Sequence, residues 1–79
     1  MLDDAVKTLK LAQSLEDRTP EQRRRLMSAL VQEGRAKIRP TNTVASLLFN
    51  LEMDGITVES NDTDQLIEIW RITALAVCS

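Results

Sequence analysis

Histidine and tyrosine are absent from this 79-residue chain, and cysteine, tryptophan and phenylalanine occur once each. Without histidine the chain lacks the commonest general base and the commonest metal ligand. A single thiol, Cys78, excludes an intrachain disulfide and a thiolate metal cluster within one chain. With so few aromatics the core is left to Leu, Ile, Val, Ala and Met. Two Gly and two Pro are little turn material, which suits a few helices joined by short links. The N-terminal run MLDDAVKTLKLAQ has acids where a signal peptide needs a basic start. Cys78 stands second from the end and does not fit the prenylation pattern. A reducing, cytoplasmic location is the expectation.

The length fits one domain spanning 1–79. At this size a chain buries only a little over about 60 % of its unfolded surface, so a second subunit would help stability. A hydrophobic fraction of 43 % is that of a globular chain. The net charge of −2 is unevenly placed: 18–39 carry seven basic groups against Glu21 and Glu33, and 40–79 carry Arg71 against six acids. Such asymmetry marks nucleic-acid contact or complementary surfaces within or between chains.

The segment LIEIWRITALAVC, 66–78, is apolar around most of a helical circumference. Leu66, Trp70 and Val77 share one line, Ile69, Ile72 and Ala76 flank it, and a strip with Glu68, Arg71 and Leu75 is left for water. At about 20 Å it is too short to cross a bilayer, so no membrane is expected. Asp62 is its expected N-cap, with Gln65 completing a capping box.

Upstream, Leu2, Ala5, Val6, Leu9 and Ala12 follow helical spacing over 2–16, with Leu11 off that face. Thr19-Pro20-Glu21-Gln22 is a capping box with proline at the first helical position. It opens a helix over 20–37 whose apolar sector holds Leu26, Met27, Leu30, Val31, Gly34 and Ile38. So short a link implies an antiparallel hairpin. Pro40 ends that helix. Thr41, Asn42 and Thr43 are candidate caps for a third helix, 43–54, with Val44, Ala45, Leu47, Leu48 and Leu51 on its core face and Gly55 as a left-handed C-cap. Phe49 and Met53, one turn apart, point off that face. Gly55 to Glu59 alternates with period two but has nothing obvious to pair with, and reads as an extended link. The expected fold is therefore all-α: four helices near 2–16, 20–37, 43–54 and 64–77, the last one central and joining two copies as a homodimer.

No catalytic constellation accompanies this pattern. Asn61, Asp62 and Asp64 lack the central glycine of a calcium loop, and the carboxylate pairs have no histidine or aromatic pocket beside them. Neither a phosphate loop nor a nucleophile motif is present. We expect a non-enzymatic protein with no cofactor and no metal. Arg23, Arg24 and Arg25 with Arg35 and Arg39 form the one constellation with reach. On a continuous helix Arg24, Arg25, Arg35 and Arg39 would line about 22 Å of one side, available to phosphates, to solvent or to an acidic protein surface. TNTVASLLFNLEMDGITVES, 41–60, is similar in pattern to the recognition helix and first wing strand of winged helix-turn-helix regulators. Its would-be groove helix carries Glu52 and Asp54 and no base, however, and phosphates repel acids there.

The leading expectation is a small regulatory or inhibitor protein that binds another protein through an apolar patch, Phe49, Met53 and Trp70, flanked by Arg24 and Arg35. The alternative is a dimeric DNA-binding transcriptional regulator using Arg23, Arg24, Arg25, Arg35 and Arg39.

Overall fold

The computed structural model describes residues 2–42 and 47–78. Its elements run α1 (Leu2–Glu16), α2 (Pro20–Gln32), β1 (Ala36–Asn42), β2 (Leu47–Met53), β3 (Ile56–Ser60) and α3 (Thr63–Cys78). The all-α four-helix expectation is therefore wrong: three helices accompany a three-stranded antiparallel sheet of order β1-β2-β3. Thr43, Val44 and Ala45, expected to open a third helix, lie outside the described residues.

Two glycines explain the difference. Gly34, placed inside the second helix by its sequence pattern, instead ends it. Its φ is +83°, its N–H donates to Val31 O at 3.1 Å, and the Arg35 N–H donates to Leu30 O at 3.0 Å. This pair of bonds is the Schellman ending, which needs a left-handed residue just past the cap. The chain then turns into β1. Asp54-Gly55 is the second case. Both residues have positive φ, 54° and 79°, the requirement of the two-residue type I′ hairpin loop. Met53 and Ile56 face each other across it.

Register then sorts the side chains by period two. Ala36, Met53 and Ile56 form one inward row, Ile38, Leu51 and Val58 the next, and Pro40, Phe49 and Ser60 the third. The outward rows are polar: Lys37, Glu52 and Thr57, then Arg39, Asn50 and Glu59. Pro40 is tolerated because β1 is an edge strand, where one missing donor breaks no second ladder.

The helices lie on the inward face. α3 packs on β3, β2, α1 and α2, while α1 packs chiefly on α3, and α2 on β1. The first two helices thus meet through α3 and the sheet more than through each other. On α1 the buried face is Thr8, Leu11, Ala12 and Leu15. That is rotated from the expected one: Leu11 is inside and Val6 outside. The core joins these to Met27, Leu30, Leu51, Met53, Leu66, Ile67, Trp70 and Ala74. No helix of the described residues is long and apolar enough to cross a membrane.

Candidate functional site

The capping box at Thr19 fixes the start of α2: Gln22 N–H donates to Thr19 Oγ1 at 3.2 Å, and Thr19 N–H donates to Gln22 Oε1 at 3.1 Å. Asp62 fixes the start of α3, its carboxylate accepting from the Asp64 N–H at 2.9 Å. Gln65 does not complete a box there, because its Oε1 accepts from Ser60 Oγ instead. Between these two capped helix starts, α2 and α3 leave a groove over the sheet.

The groove encloses about 220 Å³. One wall is α2, through Arg24, Met27, Ser28 and Val31, and the other is α3, through Thr63, Leu66 and Ile67. Ile38 and Leu51, partners across β1 and β2, make the floor. Phe49 and Pro40 are one row further along the same inward face. The lining is aliphatic apart from two hydroxyls and one guanidinium. The volume is several times the roughly 30 Å³ of one water, yet below the roughly 300–1,000 Å³ of a typical small-molecule site. It suits a large side chain from another molecule better than a cofactor. Among the described residues no group of three or more His, Cys, Asp or Glu side chains is placed to hold a metal.

Arg24 stands at the rim, forking onto Asp64 with Nε–Oδ1 2.9 Å and Nη2–Oδ2 2.8 Å. The hydrogen bond from Arg24 holds the Asp64 carboxyl below the usual carboxylate range, against the opposing effect of burial. Both partners remain open to solvent, so this pair can be exchanged for an incoming acid at little cost.

Three more of the candidate arginines, Arg23, Arg25 and Arg35, are held within the chain. Arg23 donates from Nη1 to Glu68 at 2.7 Å and from Nε to Leu15 O at 2.7 Å. Arg25 pairs with Glu21 one turn back. Arg35 forks onto Asp54, whose other contact is the Thr8 hydroxyl at 3.0 Å. Those bonds, Arg35 first, keep the Asp54 carboxyl below its ordinary range despite burial. Arg39 lies exposed on the outward face of the sheet and takes part in none of these ion pairs. The 22 Å row expected on one helix does not exist. Because Gly34 ends α2, Arg35 falls in a turn and Arg39 on a strand.

The apolar trio expected at a partner surface is also divided. Met53 is 1 % and Trp70 0 % exposed, and Trp70 Nε1 donates to Met53 O at 3.0 Å inside the core. Neither is available to a partner. Phe49 is half-buried against the core, on the inward face beyond the groove floor. Met27, Val31 and Ile38 line the groove, although their sequence spacing alone fits the core stripe of one long helix. Thr63 and Ser28 carried no signal of their own.

No protein-family model, characterised protein or solved structure matches this chain.

Proposed function

We propose that this chain is a small, non-enzymatic regulatory protein of the cytoplasm that acts by binding another protein. The contact is the groove between α2 and α3. The observation that carries the reading is the groove itself, an aliphatic trough with an exposed guanidinium at its rim. Buried anchors in such depressions contribute most of the energy of protein interfaces, and a flanking charge orients the partner. The matching ligand is an amphipathic segment presenting one large apolar side chain next to a carboxylate. That side chain fills the groove and the carboxylate takes Asp64's place on Arg24. Regulation follows by occlusion of whatever surface the segment belongs to.

The nucleic-acid reading has less support, since Arg23, Arg24, Arg25 and Arg35 each already hold a carboxylate of their own chain. The outward sheet face that carries Lys37 and Arg39 also carries Glu52 and Glu59.

The test is selection of peptides from a random display library, followed by affinity measurement on wild type and two variants. Ser28→Trp fills the groove from an exposed position, and Arg24→Glu reverses the rim charge. Enriched peptides should pair an apolar residue with an acid and lose at least tenfold in affinity on either variant. Peptides that bind Ser28→Trp as tightly as wild type would refute the groove. A generic DNA duplex bound with steep salt dependence, and released by Arg24→Glu, would replace the reading with the nucleic-acid one.

A further inference from the structure

The β2–β3 turn holds the one Asp-Gly step of the chain, Asp54-Gly55, and its two residues sit in opposite chemical settings. An aspartyl side chain followed by glycine is prone to close on the main chain, because no Cβ screens the next nitrogen. Gly55 keeps that access: the space where a Cβ would stand is open to 4 Å. It belongs to neither strand, so its N–H is not a donor of the ladder. The carboxyl group, by contrast, is clamped. The Asp54 side chain is 18 % exposed. Arg35, in the turn between α2 and β1, donates from Nε to Oδ1 at 3.0 Å and from Nη2 to Oδ2 at 2.6 Å. The hydroxyl of Thr8, a residue buried on α1, donates to the same Oδ2. The left-handed backbone of Asp54, φ 54°, is a strain that these bonds offset.

We propose that Asp54-Gly55 is a site of spontaneous main-chain isomerisation, held shut by Arg35 and Thr8 and exposed when this turn comes away from them. This goes beyond the groove reading and does not depend on it. In the open turn the Gly55 nitrogen bonds to Asp54 Cγ, and the amide hydrogen leaves with the carboxyl OH as water. Solvent water then splits the cyclic imide. Addition at Cγ restores aspartate. Addition at the main-chain carbonyl of Asp54 leaves Gly55 joined through the side chain, and that carbonyl becomes a free carboxylate. The water lost is regained, and neither an oxidant nor a partner takes part.

The clamp opposes the first step in two ways. Cγ must swing onto the nitrogen, and a carboxylate bonded at both oxygens cannot rotate without breaking those bonds. The carboxyl must also be protonated for its OH to leave. The bond from Arg35 first, then the Thr8 bond and the charges of Arg35 and Lys7, favour the ionised form against the effect of burial. The second step is self-locking. The isomerised chain has one more atom along its main-chain path, which the two-residue type I′ loop does not accommodate. Its carboxylate is attached directly to Cα, drawn back by one bond from Arg35 and Thr8. A turn that isomerises while open therefore loses both its loop geometry and its ties to α1 and the α2–β1 turn.

The test ages the full-length chain in warm neutral buffer for several weeks. Isoaspartate at Asp54 is then counted by peptide mapping with an endoprotease that cuts before aspartate but not before isoaspartate. Conversion follows the open fraction when opening and closing are fast. Folded wild type should convert at least about tenfold more slowly than the same chain unfolded in guanidinium. Arg35→Met should convert about fivefold faster than folded wild type while keeping its dichroism spectrum. Thr8→Val serves the same purpose should Arg35→Met fail to fold. Glu68→Gln, which removes a charge remote from this turn, should convert at the wild-type rate. The proposal is overturned by an unfolded chain that does not convert, or by a folded wild type that converts as fast as the unfolded chain. A folded clamp variant no faster than wild type also overturns it. Equal acceleration by Glu68→Gln would mean that conversion runs through global unfolding, and would refute the clamp.

Discussion

Glu68 is the carboxylate at which three helices meet, and its replacement by glutamine tests how much that junction contributes. Arg71 bonds to it along α3, and Arg23 reaches it from α2 while also donating to the carbonyl of Leu15 in the last turn of α1. The bond from Arg71, then that from Arg23, outweigh burial and depress the Glu68 pKa from 4.5 to about 2. Each tenfold change in proton affinity is worth about 1.4 kcal/mol, so the nominal stabilisation is about 3 kcal/mol. The side chain is 39 % exposed, and solvent screening reduces such a figure to about 1 kcal/mol. Because the folded-state pKa is depressed, this contribution is complete above pH 4.5 and disappears as pH falls through about 2. Glutamine mimics the protonated side chain. Glu68→Gln should therefore be less stable than wild type by about 1 kcal/mol at pH 7, and the two should converge on acidification. Urea unfolding followed by the fluorescence of Trp70, the sole tryptophan, measures the difference at several pH values. Comparing the two proteins removes the parallel effects of Asp54 and Asp64, whose carboxyls are also held low. A difference that stays constant from neutral to strongly acidic pH would refute the assignment.

Gly55→Ala should destabilise by about 1 kcal/mol from backbone strain alone. The reason is that φ is +79° there and an added Cβ would meet nothing within 4 Å; a urea midpoint equal to wild type would contradict the type I′ turn. Trp70→Phe removes the buried donor to Met53 O and part of a fully enclosed ring. It should cost about 2–4 kcal/mol, seen as a drop in the thermal midpoint of the far-ultraviolet dichroism of at least about 8 °C.

Helix ends with explicit side-chain chemistry are legible in the sequence itself. Thr19 and Asp62 cap where their sequences say, because a cap is a local arrangement of three or four residues. Strands β1 and β2 are not, since both of their patterns are ambiguous. Phe49, Leu51 and Met53 alternate with Asn50 and Glu52, but Leu47, Leu48 and Leu51 also follow helical spacing. Only the partner strand decides between the two. A signal for that partner is present: Asp54-Gly55 between apolar alternations is the strongest short hairpin cue, but a glycine there fits a helix end equally well. With β2 taken as helical, the alternation of Ile56 and Val58 had nothing to pair with and became a link. Gly34 failed in the opposite sense. Its place in the apolar sector fits a helix interior, although a glycine just after an apolar stripe also marks a Schellman ending.

The same two misread glycines decide what was legible of the candidate site. On a helix Phe49 and Met53 would share an exposed face; on an inward strand face Met53 joins the core instead. A helix continued to 37 would set Arg24, Arg35 and Arg39 in a row, but the turn at Gly34 scatters them. The uneven charge was real, and its meaning is internal. Arg23–Glu68, Arg24–Asp64 and Arg35–Asp54 each join the basic middle to the acidic final half across 45, 40 and 19 residues. Three such pairs, at the start of α2 and just past its end, orient α2 against α3 and the β2–β3 turn. The groove is the space left between elements held at that spacing. Its one charged lining residue, Arg24, is also the most solvent-exposed of the three interhalf arginines whose exposures are 19 %, 59 % and 34 %. An arginine whose own side chain is largely buried orients the fold and is costly to withdraw. One whose guanidinium stays in solvent is cheap to re-pair. Arg24 is thus the interhalf arginine best able to leave its own chain for a partner's acid.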